Sequence, residues 1–254
     1  MSDEQARLQA VLSAPDEDAP RLDYAKWCED QGDPSSLARA ELIRTQLELA
    51  HADPEHLATG RLFGEQHRAE QLVAVHGDAG FQPATPWVDG FRFHRGFVEW
   101  IRLSARSFLD HGERIFELAP VRHMDLTAVR DVDEALADSP LLANVRSLAM
   151  DSCGLHDLHV QLLAASPHVI NLRWLSLADN NLTLAAAEAL AASPHLGDLR
   201  YAELRGNPVD PGERLGLDGG EVVASWMPPE GRDLEARFGP QRWLHREPIV
   251  GRFD

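Results

Sequence analysis

The residues best suited to chemistry form a short Cys-x-x-His-x-x-His cluster of Cys153, His156 and His159. Thiolate and imidazole groups are preferred zinc ligands, but a structural zinc site normally needs four ligands. No second cysteine pair completes the set, because the only other cysteine, Cys28, lies in a different region of the sequence. Two separated cysteines also argue against a disulfide framework. We therefore expect neither a bound metal nor a cofactor.

A run of carboxylates could serve in acid–base catalysis, but its position favours a solvated loop and helix. The run consists of Asp131, Asp133, Glu134 and Asp138. The sequence contains no glycine-rich phosphate loop, no His-Glu-x-x-His and no Gly-x-Ser-x-Gly. We predict no catalytic residues. An enzyme would need a buried cluster of titratable side chains, and a pocket between an N-terminal helical domain and the rest of the chain is the alternative place for one.

The elements that position these residues are repeated. Three Ser-Pro steps, at Ser139, Ser166 and Ser193, are separated by 27 residues each. Each step closes a segment rich in Ala and Leu and precedes a block of alternating hydrophobic residues. A fixed period of this length is typical of stacked supersecondary units.

The hydrophobic blocks at residues 142–155, 172–182 and 199–209 resemble the leucine-rich repeat, L-x-x-L-x-L-x-x-N/C-x-L. Cys153, Asn180 and Asn207 occupy the Asn/Cys position, which satisfies backbone groups in the turn. Two degenerate copies precede these blocks, around Ile101–Leu103 and Met124–Leu126. The resemblance implies a short solenoid of about five strand–helix units with parallel strands, like those of ribonuclease inhibitor.

Within each unit the pattern predicts a strand, a turn, a helix and a proline stop. Leu175 and Leu177 are two residues apart, so they point to the same face of a strand. The Ala-rich segments that follow the turns are strong helix formers. We expect three parallel strands centred near Leu148, Leu175 and Ala202. Helices should start near Leu158 and Ala185.

Residues that flank the inward leucines should form columns on a concave face, because neighbouring strands lie about 4.8 Å apart. Trp and Tyr are types that often anchor protein interfaces. The predicted partner-binding residues are Trp100, Arg102, His123, Asp125, Ser147, Asp151, Trp174, Ser176, Tyr201, Glu203 and Arg205. The alternative is that Trp174 and Tyr201 only pack against each other or beneath the C-terminal segment.

The N-terminal region has helical apolar spacing, broken at Pro15 and at Gly32-Asp-Pro34. A fourth helix is predicted from Pro54 to Val75. Residues 14–27, 32–34 and 39–46 resemble the repeat-companion domain of myxobacteria and planctomycetes, which accompanies leucine-rich repeats. Residues 93–99 resemble the junction by which such proteins enter their repeats. The resemblance implies an architecture and a bacterial origin, and it implies no reaction.

The net charge of −17 restricts the partners that the chain can bind. Residues 1–90 hold 17 acidic and 7 basic residues, which accounts for −10 of the total. Such a surface repels phosphate backbones, and no basic stripe is evident, so we expect no nucleic-acid binding. A protein partner, for which basic character would suit the charge, is the expectation. With no signal sequence and no apolar run long enough to cross a membrane, we expect a cytoplasmic protein that binds no membrane.

Together these patterns predict an α/β protein, a short leucine-rich-repeat solenoid with an N-terminal all-α domain. The expected divisions are a helical domain (1–80), an entry segment (81–97), the repeats (98–209) and a C-terminal cap (210–254). The predicted function is non-catalytic protein binding through the concave face. The first alternative is an immunity or inhibitor protein that neutralises a basic toxin or nuclease, and the second is the enzyme described above.

Overall fold

The structure, a computed structural model, describes residues 2–51, 67–69, 71–72, 81–209, 217–218, 221–222, 234, 236–239 and 243. The chain divides into two compact units. The first comprises Met1–Ile101 and Glu113–Val121, and the second comprises Arg102–Gly112 and Arg122–Asp254. The first unit therefore contains the predicted entry segment and also Ile101, from the first degenerate repeat.

Three helices open the first unit: α1 (Asp3–Ser13), α2 (Asp18–Gln31) and α3 (Pro34–Ala50). Their apolar faces meet in a core that includes Val11, Tyr24 and Ile43. The break between α2 and α3 has a local cause. Gly32 ends α2 in the left-handed conformation, and the Asp33 side chain caps the first backbone N–H groups of α3. These helices and this break confirm the helical prediction for residues 4–50.

A hairpin connects this helical region to the rest of the chain. A 3₁₀ helix (Gln82–Trp87) leads into β1 (Gly90–His94), and β2 (Phe97–Ser104) follows after two residues. Both turn residues, Arg95 and Gly96, have positive φ, as a type I′ hairpin turn requires. A Cβ on Gly96 would lie 2.6 Å from the Ile43 Cα, so a larger residue would collide with α3. The next helix, α4, spans Ala105–Leu118.

Strands and helices then alternate along the chain. The elements in order are β3 (His123–Thr127), α5 (Asp133–Ala137), a 3₁₀ helix (Pro140–Asn144), β4 (Ser147–Ala149), α6 (Asp157–Ala165), a 3₁₀ helix (Pro167–Val169), β5 (Trp174–Ser176), α7 (Leu184–Ala192) and β6 (Tyr201–Glu203). The Ser-Pro steps recur for a structural reason. The Ser166 hydroxyl donates a 2.5 Å hydrogen bond to the Ala137 carbonyl, and the Ser193 hydroxyl donates one of 2.5 Å to the Ala164 carbonyl. Each bond joins one strand–helix segment to the segment before it.

The protein is thus a mixed α/β chain with a six-stranded, mostly parallel sheet in the order β1-β2-β3-β4-β5-β6. Strands β3 to β6 pair in parallel, with Met124, Leu148, Leu175 and Ala202 in one row. Met124, Leu148 and Leu175 are fully buried and form the core side of the sheet. This pairing confirms the three parallel strands that we expected near Leu148, Leu175 and Ala202. Helices α6 and α7 begin within one residue of the expected starts.

A short antiparallel pair, β7 (Leu217–Asp218) and β8 (Glu221–Val222), follows β6. Most of the predicted helix 54–75 and of the predicted cap 210–254 lies outside the described residues. None of the helices in the described part of the chain combines the length and apolar character that crossing a membrane requires.

Candidate functional site

The face of strands β3–β6 opposite their buried row carries the predicted columns, and we call it the column face. Strand register aligns His123, Ser147, Trp174 and Tyr201 in one column. A second column consists of Asp125, Ala149, Ser176 and Glu203. Paired positions are 24 residues apart between β3 and β4 and 27 apart between the later strands, so the register brings together side chains that are distant in sequence.

Trp174 and Tyr201 form a stacked pair on this face. Their ring centroids lie 5.5 Å apart, and the ring planes are 11° from parallel. Both side chains are half-buried, so part of each ring contributes to the protein surface. Stacking on neighbouring strands fixes the two rings, and rigid aromatic rings lose little conformational entropy when a partner covers them.

Glu203 contacts the aromatic pair, and Asp151 and Arg205 lie just beyond the ends of strands β4 and β6. The Tyr201 hydroxyl donates a 2.6 Å hydrogen bond to Glu203 Oε2, while Glu203 Oε1 accepts one of 3.0 Å from the Arg205 backbone N–H. In the turn after β4, Asp151 Oδ1 accepts hydrogen bonds from the Ser176 hydroxyl and the Ala178 backbone N–H. The carboxylates are thus held in place, and Asp151 and Arg205 are exposed to solvent.

Four of the other predicted residues, Ser147, Ser176, His123 and Trp100, are buried, contrary to the prediction that they are accessible. Ser147 and Ser176 are 1% and 2% exposed, and His123 is 5% exposed. Asp125 is half-buried and Arg102 is exposed. Trp100, on β2 in the first unit, is 7% exposed, and the Arg92 guanidinium lies 4.6 Å from the centroid of its ring. The accessible part of the column face is therefore centred on Trp174 and Tyr201.

Two buried asparagines hold the turns beside the column face. Asn180 Nδ2 donates to the carbonyls of Met150, Leu177 and Ala178, and its Oδ1 accepts from the backbone N–H groups of Cys153 and Leu155. Asn207, 27 residues later, makes the equivalent hydrogen bonds in the next turn. Only a short amide side chain can donate and accept at once in this way, which explains the periodic asparagine.

Cys153, 27 residues before Asn180, takes the corresponding place in the preceding turn. Its thiol is half-buried and lies 3.5 Å from the Leu126 carbonyl oxygen and 3.4 Å from that of Asp151. Burial raises the pKa of this thiol, which disfavours the thiolate that a metal would need. His159 Nδ1 accepts a hydrogen bond from the His156 backbone N–H, so it helps to start helix α6. Among the described residues, no group of three His, Cys, Asp or Glu side chains could hold a metal ion.

One member of the predicted carboxylate run lines a small cavity. Asp133 Oδ2 lies 3.8 Å from His159 Nε2, beside apolar side chains that include Leu136, Met150 and Leu163. The cavity has room for roughly one water molecule. Asp131, Glu134 and Asp138 are exposed. An Asp–His pair over a space of this size lacks the room that a substrate would need.

A buried ion-pair cluster in the first unit is a feature that the sequence patterns did not reveal. Arg21 Nη2 lies 2.7 Å from Glu99 Oε1, and the two side chains are 0% and 1% exposed. Arg95 and His94 also contact the Glu99 carboxylate, at 3.2 and 3.1 Å. Arg21 further donates to the backbone carbonyls of Arg95 and Pro15. The cluster therefore fixes the β1–β2 hairpin against the start of α2.

The electrostatics of this cluster follow from its burial. Burial lowers the pKa of Arg21 to about 10, although the negative charge of Glu99 opposes the change. Burial would raise the pKa of Glu99, but the hydrogen bond from His94 and the charges of Arg21, His94 and Arg95 outweigh it and leave that pKa below its usual value. Glu99 is thus ionised at neutral pH. No pattern in the sequence indicates that Arg21 pairs with Glu99, because the two residues lie far apart along the chain.

Comparison with known proteins finds no family model, no curated protein and no solved structure that matches this chain.

Proposed function

We propose that the second unit is a short leucine-rich-repeat solenoid and that the chain is a non-catalytic protein-binding module. The proposal depends on one observation, the stacked and half-exposed pair Trp174–Tyr201 on neighbouring strands. The in-register strands, the asparagine turns and the alternating helices support the repeat architecture. In this reading the column face is the concave, partner-binding face.

A protein partner suits the chemistry of this face better than a small substrate does. The two stacked rings form an apolar cluster, and Glu203 accepts a hydrogen bond from one of them. Asp151 and Arg205, beyond the ends of β4 and β6, add polar groups of both charges. A central aromatic anchor with a polar rim is the usual composition of a protein interface.

The first unit gives less support to the alternative that the chain is an immunity or inhibitor protein with an acidic surface for a basic toxin or nuclease. Several of its exposed carboxylates are paired internally, as Glu29 is with Arg44, Glu41 with Arg68 and Asp23 with Arg7. These pairs neutralise part of the charge that a basic toxin would otherwise meet. The Asp133–His159 pair gives little support to the enzyme alternative, because the cavity beside it has room for roughly one water molecule.

Site-specific photocrosslinking in the native organism tests the proposal. A photoreactive amino acid replaces exposed Arg205 on the column face in one strain and exposed Ile170, which follows the 3₁₀ helix Pro167–Val169, in a matched control strain. We expect a discrete crosslinked protein from position 205 that is absent or much weaker at position 170. Equal labelling at both positions, or none at 205, would count against the column face as the binding surface.

A further inference from the structure

Arg39, on helix α3 of the first unit, is held beside two aromatic rings. Its guanidinium carbon lies 5.5 Å from the centroid of the Phe93 ring and 4.8 Å from that of the Phe97 ring. The Arg39 side chain is half-buried, and so is that of Phe93. The two rings, on β1 and β2, therefore fix the guanidinium by cation–π contacts at a partly exposed place.

The Arg39 guanidinium contacts these rings but no hydrogen-bond acceptor. Among the described residues, no oxygen accepts a hydrogen bond from it and no carboxylate forms an ion pair with it. Cation–π contacts leave the five N–H donors of a guanidinium unused. None of its nitrogen atoms is sealed from solvent, in contrast to Arg21 Nε. The donors are therefore both unused and accessible to a ligand.

Arg21, in the same unit, shows how this chain stabilises a buried arginine. Its guanidinium carbon also lies over the Phe97 ring, at 5.3 Å, but it pairs with Glu99 at 2.7 Å and donates to two backbone carbonyls. Arg39 has no such partners. Burial lowers the pKa of Arg39, and the negative charges of neighbouring groups oppose the change only in part. A cation that has lost hydration without gaining an acceptor is stabilised by an anion that supplies one.

We propose that Arg39 binds the carboxylate of a peptide segment from a partner protein. A carboxylate matches the planar fork of a guanidinium through two parallel hydrogen bonds. The half-buried Phe93 ring beside the fork offers apolar surface to the residue that carries the carboxylate. A chain terminus and an acidic side chain both supply this group.

A single carboxylate suits this site better than a phosphate or a nucleic acid does. Residues 1–90 carry a net charge of −10, which repels ligands with several negative charges. Glu4, which accepts a 3.0 Å hydrogen bond from the Tyr24 hydroxyl, adds a negative charge that acts on Arg39. Nucleic-acid affinity comes from many phosphate contacts, whereas this site offers one cation. The inference does not depend on Trp174 or Tyr201 and would stand if the column face bound nothing.

NMR of the arginine Nε–H groups in the full-length protein tests the inference. Loss of one signal in Arg39→Lys assigns Arg39, and the signal is then followed during titration with three probes. N-acetylphenylalanine carries a chain-terminal carboxylate, the α-amide of N-acetylglutamic acid carries a side-chain carboxylate, and N-acetylphenylalanine amide carries none. We expect a saturable shift with at least one carboxylate probe and none with the amide. The probe that binds more tightly identifies the source of the carboxylate.

Arg44, which forms an exposed pair with Glu29 on the neighbouring helix, is the matched control on α3. Followed on backbone amide signals, Arg39→Gln should weaken the affinity for the carboxylate probe by about tenfold or more. Arg44→Gln should change it by less than about twofold.

Three outcomes would overturn the inference: no saturable shift with either carboxylate probe, an equal loss of affinity in Arg44→Gln, or tighter binding of phenyl phosphate than of both carboxylates. If Arg39→Gln also lowers the thermal midpoint, Arg39→Lys decides the matter, because it keeps the charge but not the fork. Weaker carboxylate binding by that folded variant supports recognition by the guanidinium. Unchanged binding contradicts it.

Discussion

Asn180 and Asn207 hold successive turns by the same set of hydrogen bonds, with Asn207 Oδ1 accepting from the backbone N–H of Asn180 itself at 3.1 Å. Each asparagine thus satisfies backbone groups of its own turn and of the preceding strand–helix segment. The bonded turns form a continuous ladder beside the column face. Through this ladder the position of Trp174 is tied to that of Tyr201.

Replacement of Asn180 by alanine should destabilise the protein strongly. The change leaves several buried backbone groups without their partner, and each unsatisfied group costs about 1–3 kcal/mol. We expect the free energy of unfolding, measured by urea denaturation, to fall by about 3 kcal/mol or more. The neighbouring Asn181 is exposed and makes a suitable control. A loss for Asn180→Ala no larger than for Asn181→Ala would contradict the ladder.

Cys153→Asn should fold normally. Asn fills the equivalent position in the next two units, where it makes more hydrogen bonds than a thiol can. Circular dichroism and the thermal midpoint measure the outcome, and metal analysis of the wild-type protein accompanies them. An unfolded variant, or stoichiometric zinc in the purified wild type, would restore the Cys153–His156–His159 cluster as a metal site.

Loss of the Glu99 carboxylate should destabilise the first unit far more than loss of a surface partner. Glu99→Gln leaves Arg21 buried without a counter-charge, a change that costs about 3–5 kcal/mol. Glu29→Gln, which breaks the exposed pair with Arg44, is the matched control and should have a much smaller effect. Chemical denaturation measures both. Similar losses for the two variants would show that the buried cluster is not what holds the hairpin.

The same carboxylate should make stability depend on pH in the acid range. The pKa of Glu99 is lower in the folded chain than its usual value of 4.5, so the unfolded chain binds the proton more readily. The contribution of Glu99 is therefore complete above about pH 4.5 and is lost as the pH falls through the folded pKa. We expect a steeper loss of unfolding free energy below pH 4.5 in the wild type than in Glu99→Gln. Parallel curves would contradict the assignment.

Gly96→Ala should be poorly tolerated at the hairpin turn. The added Cβ would meet the Ile43 backbone, and the positive φ would strain the residue in addition. Gly32→Ala supplies the control, because Gly32 also has positive φ but no atom within 4 Å of the added Cβ. The control should lose about 1–2 kcal/mol of unfolding free energy from backbone strain alone. A Gly96→Ala loss within that same range would mean that α3 and the hairpin do not pack as described.

The repeated part of the fold could be predicted because its physics is periodic. The row of Leu148 and Leu175 and the turn residues Asn180 and Asn207 recur every 27 residues, so each position supports the others.

Other features of the structure do not follow from the 27-residue period and could not be predicted from it. Arg21 and Glu99 are distant in sequence, and their pairing depends on the packing of a helix against a hairpin. The burial of Ser147 and Ser176 was equally hidden, because a small side chain is shielded by larger neighbours on strands about 4.8 Å away. The sequence shows which residue types lie along a column. It does not show how much of each side chain stays exposed to solvent.

Partner affinity of Trp174→Ala and Tyr201→Ala tests the central proposal most directly, using the protein identified by crosslinking. Neither ring belongs to the buried row, so both variants should keep a thermal midpoint close to that of the wild type. Leu158→Ala, on the exposed side of α6, is the control and should bind as the wild type does. We predict a loss of about 2 kcal/mol or more for each aromatic variant, some thirtyfold in Kd. Wild-type affinity in both aromatic variants would contradict the proposal that the column face is the binding surface.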